Sequence, residues 1–153
     1  MISKILCAAA ILAALAAAPA TPAQDGGYWL PASPNAQAIT GEITLSGNKL
    51  TINFTTYTVA DIRKLTPAEV ASAFDADVNT AHPGELYRLR VPAEKRFLHH
   101  NTLCGSDDTQ WMATYADGRN IQVLFLSGDA TPVFTPDALA NSTAVCGLFT
   151  YAR

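Results

Sequence analysis

Three cysteines, three histidines and thirteen Asp and Glu residues are what this 153-residue chain offers for building a reactive centre. Cys7 sits in an apolar leader, so Cys104 and Cys146 are the pair that survives if the leader is removed. In an oxidising compartment an even pair of thiols in a small domain is expected to join, the alternative being two buried free thiols. The bridge would close a loop of about forty residues, worth about 4 kcal/mol in the chain-entropy model. With both sulfurs bonded, thiol catalysis has no nucleophile.

His99 and His100 are adjacent. On a strand they would point to opposite faces, so one metal could hardly take both. A zinc site would then need His82 together with Asp107 or Asp108, and the reading adopted is loop histidines without a ligand role. The pair can instead titrate near neutrality and tune a surface. Asp107-Asp108 follows Gly105-Ser106 and could serve acid/base work or calcium, yet Asp and Ser also favour a solvated turn through local hydrogen bonds. Ser106 lacks the Gly-x-Ser-x-Gly elbow of a hydrolase serine. No glycine-rich phosphate loop is present, and the sequon Asn141-Ser142-Thr143 has no consequence if the source is bacterial. No catalytic, cofactor-binding or metal-ligating residue is therefore assigned, and the chain reads as a non-enzyme without a cofactor. Tyr28, Trp29, Trp111, Tyr115 and Tyr151 are the side chains most able to anchor a partner, although Trp111 alternates with Ala113 and Tyr115 and reads as core.

The elements that must position these residues begin after a leader. Met1 to Lys4 carries one positive charge, and Ile5 to Ala18 is an unbroken apolar run, too short to span a bilayer, which takes about twenty residues. Ala18-Pro19-Ala20 and Thr21-Pro22-Ala23 are candidate cleavage boxes, so residues 1–23 read as a secretory signal peptide cut after Ala20 or Ala23. Lys4 leaves with it, making the mature chain more acidic than the formal charge of −3. No basic cluster remains to neutralise phosphates, which argues against nucleic acid as a partner. Residues 24–36, with Gly26, Gly27, Pro31 and Pro34, read as an extended leader that tucks Tyr28 and Trp29 onto the body. Residues 37–153 form a single β domain, with no membrane span and no sign of a second domain.

Within that domain the period is two. Ile39, Gly41, Ile43 and Leu45 alternate with polar residues, Gly47-Asn48 follows, and Leu50, Ile52 and Phe54 alternate in turn, the pattern of a hairpin. Tyr57 and Val59 fall out of phase, which a bulge near Thr55-Thr56 would repair. Thr66-Pro67-Ala68-Glu69 is a capping box that starts a short helix reaching about Asp75. Leu86 to Val91 is a strand stopped by Pro92, and Arg96 to His100 a shorter candidate strand. Asn101 to Asp108 is a loop. Trp111 to Tyr115 and Ile121 to Leu126 pair across Asp117-Gly118, and the second of these, apolar on both faces, should be the most central strand. A single helical turn is possible at Pro136 to Ala140, and Thr143 to Tyr151 closes the chain. The expectation is a mainly β fold: an antiparallel β-sandwich or small β-barrel of about seven strands, with one short helix and one disulfide.

The segments Thr40-Gly41-Glu42-Ile43-Thr44-Leu45-Ser46, Asn101-Thr102-Leu103-Cys104-Gly105 and Cys146 with Phe149-Thr150-Tyr151 resemble small exported proteins of proteobacteria that carry no assigned activity. The layout is similar to that of periplasmic inhibitors of lysozyme and of secreted metalloproteases, and Gly27-Tyr28-Trp29 to the Gly-x-Trp start of lipocalin-like barrels. That likeness is one of architecture, which does not fix function; the chain reads as a non-enzymatic periplasmic or secreted β-domain that binds through loops at one end. Its partner would be a protein, engaged by a loop such as Leu103 to Gln110; the alternative is a lipocalin-like carrier of a small apolar ligand. A monomer is expected in either case.

Overall fold

The computed structural model describes residues 25–153; the candidate signal peptide, residues 1–23, lies outside the described residues. Nine antiparallel strands form one sheet: β1 (Gly27–Pro31), β2 (Ile43–Ser46), β3 (Lys49–Ile52), β4 (Thr55–Thr58), β5 (Ala60–Leu65), β6 (Gly84–Val91), β7 (Thr109–Asp117), β8 (Asn120–Ser127) and β9 (Val145–Ala152). They run in the order β4-β3-β2-β1-β9-β8-β7-β6-β5. The mainly β class and the Cys104–Cys146 bridge are as the sequence predicts, whereas the seven strands and the sandwich or closed barrel are not. β4 and β5 are the two free edges of the order, yet only Val59 separates them in the chain, its N–H donating to the Asn48 carbonyl at 2.9 Å. The sheet therefore curls until its edges meet along the chain without closing through hydrogen bonds.

Four differences account for the strand count: Gly27–Pro31, Thr55–Thr58 and Ala60–Leu65 are strands that the sequence reading lacks, the last pairing with β6, and residues 96–100 are not one. Gly27–Pro31 is a strand inserted between β2 and β9, with Trp29 opposite Ile43 and Leu30 opposite Ala152; its glycine and proline sit at its two ends, where they cost the ladder little. After it, Ala36–Thr40 closes a π-helical turn, so β2 starts at Ile43 rather than Ile39. The phase slip after Ile52 is a two-residue turn at Asn53-Phe54, both with positive φ, and not a bulge; Thr55–Thr58 is a separate strand paired with β3. Residues 96–100 are no strand at all, since Leu98–His100 forms a single 3₁₀ turn. The most central strand is β9, and β8 lies beside it.

Side chains fill both faces. Trp29, Ile43, Leu50, Ile52, Val123, Phe125, Phe149 and Tyr151 pack in the concave interior, with the Phe125 and Phe149 rings edge to face at 5.3 Å. The convex face of β6 to β8 presents Leu86, Trp111, Ala113, Tyr115, Leu124 and Leu126. Helix α1 (Pro67–Phe74) covers it with Val70 and Phe74, and the β8–β9 connection adds Phe134 and helix α2 (Pro136–Ala140). β8 is apolar on both faces because both are covered, which is the physical content of the sequence pattern even though its rank in the sheet differs. The predicted capping box is complete: the Glu69 N–H donates to Thr66 Oγ1 at 3.3 Å and the Thr66 N–H to Glu69 Oε2 at 2.9 Å. Gly84 lets β6 pass close to β7, since a Cβ there would lie 2.6 Å from the Thr114 carbonyl oxygen.

Candidate binding site at the long-loop end

Strand alternation sends four connections out of one end of the sheet: residues 32–42, 53–54, 92–108 and 128–144. The opposite end carries the tight turns at Gly47-Asn48 and Gly118-Arg119 and the passage through α1. Two of these connections are seventeen residues long; 92–108 is the one without an α-helix, and its course is held at many points. Phe97 and Leu103 enter the interior cluster. The Asn101 amide donates to the Ala38 carbonyl at 3.0 Å, tying the segment to the turn after β1, and Lys95 Nζ donates to Thr55 Oγ1 at 3.0 Å. Cys104 is bonded to Cys146 at the start of β9, with Cα atoms 4.9 Å apart.

Asp108 closes the segment from its other side. Its Oδ1 accepts from the Ala93 N–H at 2.9 Å and its Oδ2 from Arg90 Nε at 3.0 Å. The Ala93 N–H and then Arg90 hold its carboxyl below the usual carboxylate range. Asp108 is thus a structural clamp, with Oδ1 engaged by the main chain and Oδ2 by Arg90. Between the disulfide and this clamp, Gly105, Ser106 and Asp107 stand exposed as a short tip, with the Asp107 N–H donating to the Cys104 carbonyl at 3.1 Å.

Two strained places adjoin this tip's supporting loop. His99 and His100 both adopt positive φ, 54° and 61°, and both are exposed; for residues other than glycine this left-handed backbone costs about 1–3 kcal/mol each. Phe54, at φ 65°, is 93% exposed on its turn. Phe54 and Leu98 line the same small cleft of about 170 Å³, so the turn and the histidine segment are neighbours. The alternation of Leu50 and Ile52 extends to Phe54 in sequence, which is why periodicity assigns it to the core; the readable signal was Asn53, a residue that tolerates the left-handed region, at the point where the phase breaks.

The structure does not assemble the metal set. His82 lies at the tight-turn end, 4.0 Å from Asp117, away from His99 and His100. Among the described residues no group of three His, Cys, Asp or Glu side chains is placed to hold a metal. Of the aromatic candidates, Trp29 is buried beneath the Arg153 guanidinium at 4.1 Å, and Trp111 lies in the convex layer under Arg88 at 4.5 Å. Tyr115 stacks on Phe74 at 5.9 Å, and the Tyr151 hydroxyl bonds Thr40 at 2.8 Å inside the sheet. Tyr28 alone of the five is exposed. Among the described residues no helix is long and apolar enough to cross a membrane. Comparison with protein-family models, with curated proteins and with solved structures finds no match.

Proposed function

We propose that this is an exported, non-enzymatic binding module of the periplasm or exterior that grips a protein partner with its long-loop end, as an inhibitor does when its loop enters a cleft. The observation that carries this reading is the tip Gly105–Asp107, exposed between the Cys104–Cys146 bond and the Asp108 clamp. A loop already held in one shape loses little entropy on binding, so more of its contact energy appears as affinity. Phe54 adds an exposed aromatic anchor on the same end, the residue type that dominates interface energetics. The carrier alternative is less favoured, because Trp29, Phe125, Phe149 and Tyr151 occupy the interior that a small apolar ligand would need.

The test is affinity capture from periplasmic extract with the native chain, Phe54→Ala and Ser106→Arg. Both variants alter exposed side chains, so their thermal unfolding should match that of the native chain. A stoichiometric partner should be retained by the native chain, and its affinity should drop by roughly thirtyfold or more in each variant. Recovery of no partner, or equal retention by all three, would overturn the reading.

A further inference from the structure

The sheet leaves a seam where it fails to close. β5 pairs with β6 only from Leu65 opposite Gly84 to Ala60 opposite Arg88, so Leu89–Val91 has no strand on that side and faces β4, the other free edge. At the mouth of this seam lies an open cleft of about 540 Å³ lined by Thr55, Tyr57, Pro92, Glu94, Lys95 and Arg96. Such a volume falls within the usual range of about 300–1,000 Å³ for small-molecule sites.

The lining is built for a particular charge. Tyr57 is 9% exposed, and its buried hydroxyl oxygen makes no hydrogen bond of 3.5 Å or shorter, Thr55 being the side chain that bears on it. Burial pushes its phenol pKa up, with the Thr55 side chain opposing, so it remains a protonated donor. Lys95 commits one donor, to Thr55 Oγ1 at 3.0 Å, and Arg96 commits Nη1 to the Ala93 carbonyl at 3.0 Å. Two cations against the single carboxylate of Glu94 leave one positive charge in excess. A phosphate dianion would exceed it and meet Glu94 as a repulsive neighbour, while an ammonium ligand would meet Lys95 and Arg96. The Tyr57 ring and Pro92 supply apolar wall.

We propose that this cleft binds a monocarboxylate on an apolar stem. The carboxylate takes the Tyr57 hydroxyl and charge-assisted bonds from Lys95 and Arg96, which are roughly twice as strong as neutral ones. The stem lies on Pro92 and the Tyr57 ring. The same chemistry is presented by a free aliphatic acid and by the C-terminal carboxylate of a peptide ending in an apolar residue.

Amide-resolved NMR of the purified, oxidised protein separates these sources. Sodium octanoate, an acetylated tripeptide ending in leucine as the free acid, its C-terminal amide, and octylammonium chloride are titrated in turn up to about 10 mM, a range that detects millimolar affinities. Saturable shifts confined to residues 55–58 and 90–97, with octanoate, the peptide acid or both but neither control, support the site. Octanoate binding identifies a free acid as sufficient, and binding of the peptide acid alone identifies a chain end. Lys95→Gln with Arg96→Gln should weaken binding by about tenfold or more. Tyr57→Phe keeps the ring and the fold and should weaken it severalfold. Absence of shifts with both acids, equal shifts with octylammonium or the amide, or affinity unchanged in all variants would overturn the proposal.

Discussion

Asp25 lies inside the curled sheet at 3% exposure, held by three donors. Tyr87 Oη donates to its Oδ2 at 2.5 Å, Thr114 Oγ1 to the same oxygen at 2.9 Å, and Trp29 Nε1 to its backbone carbonyl at 2.9 Å. Tyr87→Phe removes one donor from a buried acceptor and should destabilise the fold by about 1–3 kcal/mol, read from urea unfolding. Burial first, then Asp25, raises the Tyr87 phenol far above its ordinary value, and burial raises Tyr151 and Tyr57 as well. These groups stay protonated in the folded chain, whereas in the unfolded chain they ionise near pH 10. Their contribution is therefore complete below about pH 10 and is lost as pH rises above it. Unfolding free energy should fall steeply from pH 9.5 to 11, and less steeply in Tyr87→Phe; a flat profile would contradict the burial of these phenols. None of this was legible locally, because Asp25 sits in a stretch whose Gly and Pro content conceals a strand.

Helix α1 shows the opposite case, an element readable from four residues. Thr66-Pro67-Ala68-Glu69 specifies its start because the N–H groups of Thr66 and Glu69 find partners within the motif and Pro67 has no N–H to leave unpaired. What the motif does not contain is Arg63, whose guanidinium reaches back from β5 to Glu69 with Nη1 at 2.9 Å and Nη2 at 2.8 Å. That hydrogen bond, with the Thr66 N–H helping, lowers the Glu69 carboxyl to about 2 from an ordinary 4.5. A depressed carboxyl contributes stability above its unfolded value and loses it as pH falls through the folded one. Glu69→Gln can still accept from the Thr66 N–H, so at neutral pH it should cost less than about 1 kcal/mol. Between pH 4.5 and 2 it should flatten the native loss of stability, measured by thermal unfolding across that window. Equal slopes in native and variant chains would show that the pair contributes nothing.

At the scale of the whole molecule, the strand order turns on one junction: β1 pairs with β9, which brings the first described residues beside the last. Arg153 Nη1 donates to the Gly26 carbonyl at 2.9 Å. A permuted chain that joins residue 153 to residue 25 through a short Gly/Ser linker and opens between Ala81 and His82, in the connection before β6, should keep the same sheet. Its near-ultraviolet circular dichroism should match that of the native protein, with Cys104 and Cys146 still bonded. Loss of the native spectrum would mean that the β1–β9 pairing depends on chain order rather than on packing. Opening the chain at Val59 instead would separate the two free edges that this residue alone connects, and should be far more damaging.

Alternation of apolar residues, the Gly-Asn and Asp-Gly turns, the capping box and two paired cysteines are local or statistical signals, and from them the sequence by itself determined a mainly β chain with one disulfide and a capped helix. Local chemistry is enough there because a turn or a cap is satisfied by its own neighbours. The number of strands, the curl of the sheet and the seam beside Tyr57 depend on which distant edges meet, and no period in the chain encodes that. Gly27–Pro31 became a strand only because β2 and β9 offered it partners on both sides, and Phe54 left the core only because the return strand needed a turn at that point. Tertiary structure decided those matters, since the free energy of a strand resides in its pairing and burial rather than in its own residues.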